Sequence, residues 1–269
     1  MGGRGATSSM GMLGGSGNTQ PQTQQPQQPQ VDNTQVASAF STDYNNFMAM
    51  SDDEKADAIL KAIGMGVPDH LAQNDFQRLI YNTNMNDKPD VVQDSVLDSM
   101  GGVEMFRTVN STYNKPKDIG FTATQIAKQM QGGRITYTDG SVSALGKGLY
   151  FAGNTNGYTS KDAYQHSQRI YGKHTGDVNL TATVRAKLNN NAKIMDYSTA
   201  SQKVLQEMAS GSKLGKALRK CDIDSRESIY ALSKGYNVLR STNYYNVLNR
   251  NAMTMSSSIK QSQGGRGQW

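Results

Sequence analysis

The sequence predicts a mixed α+β fold with mostly antiparallel strands. Residues 36–100 place apolar side chains at helical spacing behind capping residues. From Val103 onward, short strands with alternating apolar residues interleave with helices. The strands follow one another too closely for repeated βαβ crossovers, which points to antiparallel pairing.

The chain has 269 residues, enough for one large domain or a domain with an extension. Residues 1–36 are expected to be a disordered tail. Residues 1–18 carry Gly, Ser, Thr and Met with one charge, Arg4, and 19–30 read TQPQTQQPQQPQ. Such a segment buries too little apolar surface to offset its chain entropy. It also lacks the basic start and apolar core of a secretory signal. Residues 256–269 repeat this character and are expected to form a flexible C-terminal tail. GGRG occurs at 2–5 and 264–267. It reads as an RGG-like nucleic-acid contact or as solvated tail, and composition favours the tail.

Residues 37–100 read as a helical N-terminal segment. Ser51 opens S-D-D-E, a capping box completed by Glu54. Ile59, Leu60 and Ile63 follow, and Gly64 is a stop. Phe76, Leu79 and Ile80 mark a second helix, and Val92, Val96 and Leu97 mark a third after Pro89. These short helices suit a packing platform better than a catalytic unit.

Residues 101–255 form the second region. VEMFRTV (103–109) reads as a strand, 122–130 as a helix capped by Thr122, and GLYFA (148–152) as a strand. Residues 160–172 read as a helix capped by Ser160, with Tyr164 and Ile170 on its buried side. Strands are expected at 178–188 and 192–197, helices over 201–220 and 226–236, and three short strands at YNVL, YYNVLNR and AMTM.

Composition excludes several chemistries. No apolar run reaches the roughly 20 residues that span a bilayer, so no membrane insertion is expected. The single Cys221 forms no intrachain disulfide or Cys-based zinc cluster. His70, His166 and His174 are scattered, so no metal site is expected. P-loop, GxSxG and HExxH motifs are absent from the sequence. Cys221 lies beside Arg219 and Lys220, which could lower a thiol pKa, but no His is near in sequence and an inert thiol is favoured. Lys213, Lys216, Arg219 and Lys220 read as a solvated helix face. The net charge of +6 suits nucleic acid, an anionic surface or a phosphate-bearing ligand.

Four features could carry chemistry. Arg107 sits among Met105, Phe106 and Val109, where a guanidinium needs a partner or a cleft; it is either a phosphate ligand or an edge-strand side chain. Gly146 to Ala152 reads G-K-G-L-Y-F-A. Its glycines permit close backbone approach, and Tyr150 faces opposite to Leu149 and Phe151. Ser160 and Tyr164 share a helix face. NYYNVLNRNA (243–252) carries Tyr244, Asn246, Asn249 and Arg250 but no carboxylate.

These residues resemble the ADP-ribosyltransferase superfamily. GKGLYFA with the following Ser160 and Tyr164 is similar to the second motif of its poly(ADP-ribose) polymerase-like branch, and MFRTV resembles the first motif of the arginine-first toxins. KGYNVL, YYNVLNRNAM, NDKPDVV and the MGGRGA start resemble phage-encoded members. The resemblance covers about residues 74–255. It implies a split β-sandwich of two antiparallel sheets, with NAD as substrate. Arg107 would hold the NAD phosphates or ribose, Tyr150 and Tyr164 would sandwich nicotinamide, Ser160 would contact its amide, and Gly146 and Gly148 would line the pocket.

The third motif departs from the family. Active members supply a Glu where alignment of YYNVLN places Tyr244. A neutral phenol cannot stabilise an oxocarbenium-like transition state as a carboxylate does. Asn237 is neutral too, and Glu207 and Glu227 lie on expected helices. The toxin-type Ser-Thr-Ser strand is replaced by the Tyr, Ser, Tyr set. Chain polymerisation is the activity this disfavours most. The expected function is therefore NAD-dependent mono-ADP-ribosyl transfer to a host protein or nucleic acid, in the virion or the host cytoplasm. A non-catalytic virion or interaction protein of the same fold is the alternative, and a nucleic-acid binder working through its tails is a third.

Overall fold

Side-chain caps decide where the helices begin. The computed structural model describes residues 43–67, 74–85, 88–111, 122–132, 148–154, 157–171 and 180–263. Helix α1 (43–49) leads into α2 (Asp52–Ile63). Ser51 Oγ accepts the Glu54 N–H at 3.3 Å, and the Glu54 carboxylate accepts the Ser51 N–H at 2.7 Å. This is the expected capping box, and Gly64 ends the helix. Asn74 caps α3 (Asp75–Asn82), which buries Phe76, Leu79 and Ile80.

The third expected helix is shorter than the sequence pattern suggests. Asp90–Val92 form a strand, β1, and only Asp94–Ser99 form α4. β1 pairs in parallel with Thr254, Met255 and Ser256, a partner that local periodicity does not reveal. The N-terminal segment is thus not helical throughout: it supplies one strand of the sheet.

Next come β2 (Glu104–Asn110), α5 (Ala123–Gln131), β3 (Leu149–Gly153), α6 (Ser160–Tyr171), β4 (Leu180–Leu188) and β5 (Ile194–Asp196). Then follow α7 (Tyr197–Ser210), α8 (Lys213–Lys220), α9 (Arg226–Ser233), β6 (Val238–Ser241), β7 (Tyr244–Val247) and β8 (Met253–Gln263). The fold is mixed α+β. The described strands form one mixed sheet of eight, in the order β1-β8-β4-β2-β3-β7-β6-β5, where the family resemblance implied two antiparallel sheets. The β1–β8 and β5–β6 pairings are parallel and the rest antiparallel.

The sheet is weakly joined at its middle. β2 pairs with β4 over seven residues but with β3 over only two, Met105 with Gly153 and Phe106 with Ala152. Both halves bury side chains in one core: Met105, Val184 and Met253 from one, Leu149, Phe151 and Tyr245 from the other, with Ile126 and Met130 of α5. A second core gathers α2, α3, α7, α8 and α9 around Ile59, Leu79, Leu218 and Leu232.

The flexible tail expected from Ser256 is strand as far as Gln263. β1 pairs with β8 only at Thr254, Met255 and Ser256, so beyond them the ladder to β4, from Ile259 to Gln263, holds a segment whose composition is polar. Residues 1–42 and 264–269, with both GGRG stretches, lie outside the described residues. The described residues all belong to one compact unit, Asn33–Trp269. None of their helices is long and apolar enough to cross a membrane.

The cap of α6 is Thr159 rather than Ser160. Thr159 Oγ1 accepts the Asp162 N–H at 3.2 Å, and Asp162 Oδ2 accepts the Thr159 N–H at 2.9 Å. Only Thr159 has an acid three residues on, so it wins over its neighbouring hydroxyl. Ile170, expected to be buried, is 40% exposed, and Ala163, His166 and Ser167 form the buried stripe. Thr159→Ala should cost about 1 kcal/mol in urea denaturation, while Ser160→Ala should stay within about 0.5 kcal/mol of the parent. The opposite ranking would return the cap to Ser160.

Candidate functional site

Arg107, Tyr150 and Tyr244 lie far apart in sequence but on three consecutive strands, β2, β3 and β7. Strand alternation then sets their directions. On β2, Glu104, Phe106 and Thr108 face α6: the Phe106 and Tyr164 rings meet edge-on at 5.6 Å, and the Ser167 hydroxyl accepts the Thr108 N–H at 2.8 Å. Met105, Arg107 and Val109 face the shared core, with Arg107 opposite Val184.

Arg107 is 6% exposed, and its Nη1 donates to the Tyr150 carbonyl oxygen at 3.2 Å. The pairing of Phe106 with Ala152 puts Phe106, Ala152 and Tyr150 on the α6 face, opposite to Arg107. Arg107 therefore reaches the backbone of Tyr150 and shares no groove with its ring, contrary to its expected hold on phosphate or ribose. The sequence shows that one face of β2 differs from the other, but register with β3 decides which is covered by α6.

Tyr150 is half-buried and stands opposite the buried Asn246. Tyr244 pairs with Ala152, so it occupies the same face as Tyr150, as a diagonal neighbour. A Cβ on Gly148 would run into the Asn246 side chain, which gives this glycine a packing reason to be there. Gly146 lies outside the described residues.

The Tyr244 hydroxyl lies 2.7 Å from His166 Nε2. His166 Nδ1 lies 3.1 Å from Arg169 Nη2 and 3.3 Å from the Tyr158 hydroxyl. Burial, then the Arg169 charge, pushes the His166 pKa below its ordinary value. Burial raises the Tyr244 pKa, with Arg169 opposing and Tyr158 adding. Among the described residues, the charged or titratable groups acting on Tyr244 are Arg169 and Tyr158. Glu207 and Glu227 lie in the helical half, where they accept hydrogen bonds from Ser212 and Ser201. Asn237 is structural: its Oδ1 accepts the Lys193 N–H at 3.0 Å, and its Nδ2 donates to the Tyr44 hydroxyl at 3.1 Å.

Ser160 and Tyr164 occupy another flank of α6. They line an open groove of about 430 Å³ with Phe106, Thr183, Arg185 and Lys260. Arg185 is ion-paired with Glu104 and Asp98, and Asp94 lies 3.9 Å away. Hydrogen bonds from Ser256 and Ser258, with the nearby Arg185 and Lys260 charges, hold the Asp94 carboxyl below its ordinary value. Lys260 Nζ stands 5.5 Å over the Tyr164 ring. Asn154 Nδ2 donates to Ser160 Oγ at 3.4 Å, which ties the end of β3 to the start of α6.

The expected site residues thus fall into three places. Tyr150 and Tyr244 share a sheet face, Ser160 and Tyr164 share a groove, and Arg107 lies on the other side of the sheet. Sequence reasoning missed His166, because the histidines were weighed as metal ligands and as partners of Cys221. Its position two residues after Tyr164 puts it on a different helix flank, the one turned to β7.

Cys221 is buried, and its thiol is pushed up to about 12 by burial first, then by Asp75 and Asp222, against Arg226. The adjacent Arg219 does not activate it: this guanidinium donates to the Met208 carbonyl. Lys213 pairs with Asp57 at 2.6 Å on the surface. Among the described residues, no group of three His, Cys, Asp or Glu side chains is placed to hold a metal ion.

Comparisons with protein-family models, curated proteins and solved structures found no match. Because the raised pKa keeps Cys221 a thiol, native protein at pH 8 should leave dithionitrobenzoate unreacted, and urea-unfolded protein should release one equivalent of chromophore. Rapid reaction of the native chain would mean an accessible thiolate.

Proposed function

We propose that this chain is an NAD-binding protein of the ADP-ribosyltransferase type that transfers a single ADP-ribose to a macromolecular acceptor. The observation that carries the reading is the order β2-β3-β7: the strands bearing the three motif-like stretches are neighbours in the sheet. Chance similarity in three separate stretches gives no reason for them to assemble side by side.

In this reading the two half-sheets are the layers of a split sandwich, and NAD enters near the parting of β2 and β3. Tyr150 and Tyr164 offer rings to nicotinamide, Ser160 offers a hydroxyl to its amide, and Gly148 borders the pocket. Tyr244 lies at the nicotinamide ribose. Arg107 acts as a positioning residue that fixes β3 through the Tyr150 carbonyl. In the reaction the bond between the ribose C1′ and nicotinamide breaks, and nicotinamide leaves with the electron pair. The acceptor's nucleophile bonds to C1′ and loses its proton to solvent. In the family context the acceptor is a host protein or nucleic acid, met in the virion or the host cytoplasm.

One observation favours the non-catalytic alternative. Positive charge developing at C1′ calls for a negative neighbour, whereas Tyr244 is a neutral phenol held by His166 with the Arg169 cation nearby. An NAD-binding interaction protein of the same fold would tolerate this arrangement.

Titration calorimetry with NAD, paired with chromatographic assay of released nicotinamide, separates the two. Wild-type protein should bind NAD, and Tyr150→Ala should weaken binding about tenfold or more, the loss of one stacked ring. Nicotinamide release supports the transferase; binding without release supports the alternative. Folded wild-type protein that binds no NAD overturns both.

A further inference from the structure

The contacts of His166 fix the direction of a hydrogen-bond chain. A guanidinium donates only and keeps its proton at any ordinary pH. Arg169 Nη2 lies 3.1 Å from His166 Nδ1, so Nδ1 must present its lone pair. Among the described residues, the groups bonded to the ring are Arg169 on its own helix, Tyr158 ahead of it and Tyr244 on β7. None is an acid that would stabilise an imidazolium, and burial beside Arg169 keeps the ring neutral. Its single proton is then on Nε2, which lies 2.7 Å from the Tyr244 oxygen. The imidazole N–H donates and the phenol oxygen accepts. The Tyr158 hydroxyl, at 3.3 Å from Nδ1, shares that one lone pair with Arg169 as the longer arm of a three-centre bond.

A phenol that accepts along one direction must turn its own O–H another way. Tyr244 is half-buried, with His166 as its bonded neighbour. We propose that Arg169, His166 and Tyr244 form a polarised relay that presents the Tyr244 hydroxyl as a fixed hydrogen-bond donor to an acceptor oxygen of the bound ligand. Resting on the NAD reading, that acceptor is an oxygen of the nicotinamide ribose. The polarity is the reverse of a carboxylate at this position, which would accept from ribose hydroxyls. Tyr244 orients the sugar and takes no proton from it, and His166 and Arg169 are positioning residues that act through Tyr244.

Long-range ¹H–¹⁵N correlation spectra of the full chain from pH 5 to 8 test the relay without any ligand. His166→Gln assigns the signal against His70 and His174. The expected result is a neutral ring with the proton on Nε2 and a titration midpoint below that of an ordinary histidine. Arg169→Gln should raise the midpoint and mix the tautomers. A proton on Nδ1, or a ring charged at pH 7, overturns the relay.

The ligand side is read by NAD calorimetry. Tyr244→Phe should weaken NAD binding several-fold. His166→Gln keeps an N–H for Tyr244 and should stay near the parent, whereas His166→Leu should match Tyr244→Phe. Wild-type affinity should be flat from pH 6.5 to 8. Equal affinities for all three variants and the parent overturn the ribose contact. If the tautomer is as stated but the parent binds no NAD, the ribose assignment falls with the NAD reading while the direction of the relay stands.

Discussion

The junction between β2 and β3 governs the rest of this molecule. Two residue pairs join one half of the sheet to the other. A buried guanidinium adds a link, since Arg107 on β2 donates to the backbone of Tyr150 on β3. A charged group nine-tenths out of water is tolerated only where hydrogen bonds replace its hydration. Here that requirement ties two strands that are about to separate. Each strand is also paired along its other edge, β2 with β4 and β3 with β7, and both halves bury the same side in one core. The narrow junction therefore sets the register that decides which side chains α6 covers.

Helix α6 organises the surface that results. It presents Ser160 and Tyr164 to the groove beside Phe106 and Arg185, and His166 to Tyr244. Its first turn is bound to β3 through Asn154 and Ser160. The two regions differ electrostatically. The groove balances Asp94, Asp98 and Glu104 against Lys161, Arg185 and Lys260. The His166 cluster is phenolic and cationic, built from Tyr158, Tyr244 and Arg169. A dinucleotide spanning both would meet aromatic rings and paired charges along one helix.

Much of the fold was legible in the sequence because its signals are local. The Ser51–Glu54 box is written within four residues, the Thr122 cap stands directly before its helix, and the apolar alternation of β4 is written within nine. What was missed depends on distant partners. β1 is three residues whose only argument for being a strand is β8, and the polar end of β8 is held by its ladder to β4. The candidate site was legible only as a set of stretches, which lie on the neighbouring strands β2, β3 and β7. Its geometry was not. The facing of Arg107 depends on register with β3, and the cap of α6 turned on Asp162 choosing between two adjacent hydroxyls. His166 carries no motif: only the packing of α6 against β7 makes it the partner of Tyr244.

Hydrogen exchange read by mass spectrometry, with and without saturating NAD, tests most directly whether the converging strands form a dinucleotide site. Slowed exchange concentrated in β3, α6 and β7, with the α2–α3 and α7–α9 helices unchanged, is the expected result. Unchanged exchange throughout, or slowing confined to the helical half, would contradict a site built on β2, β3 and β7.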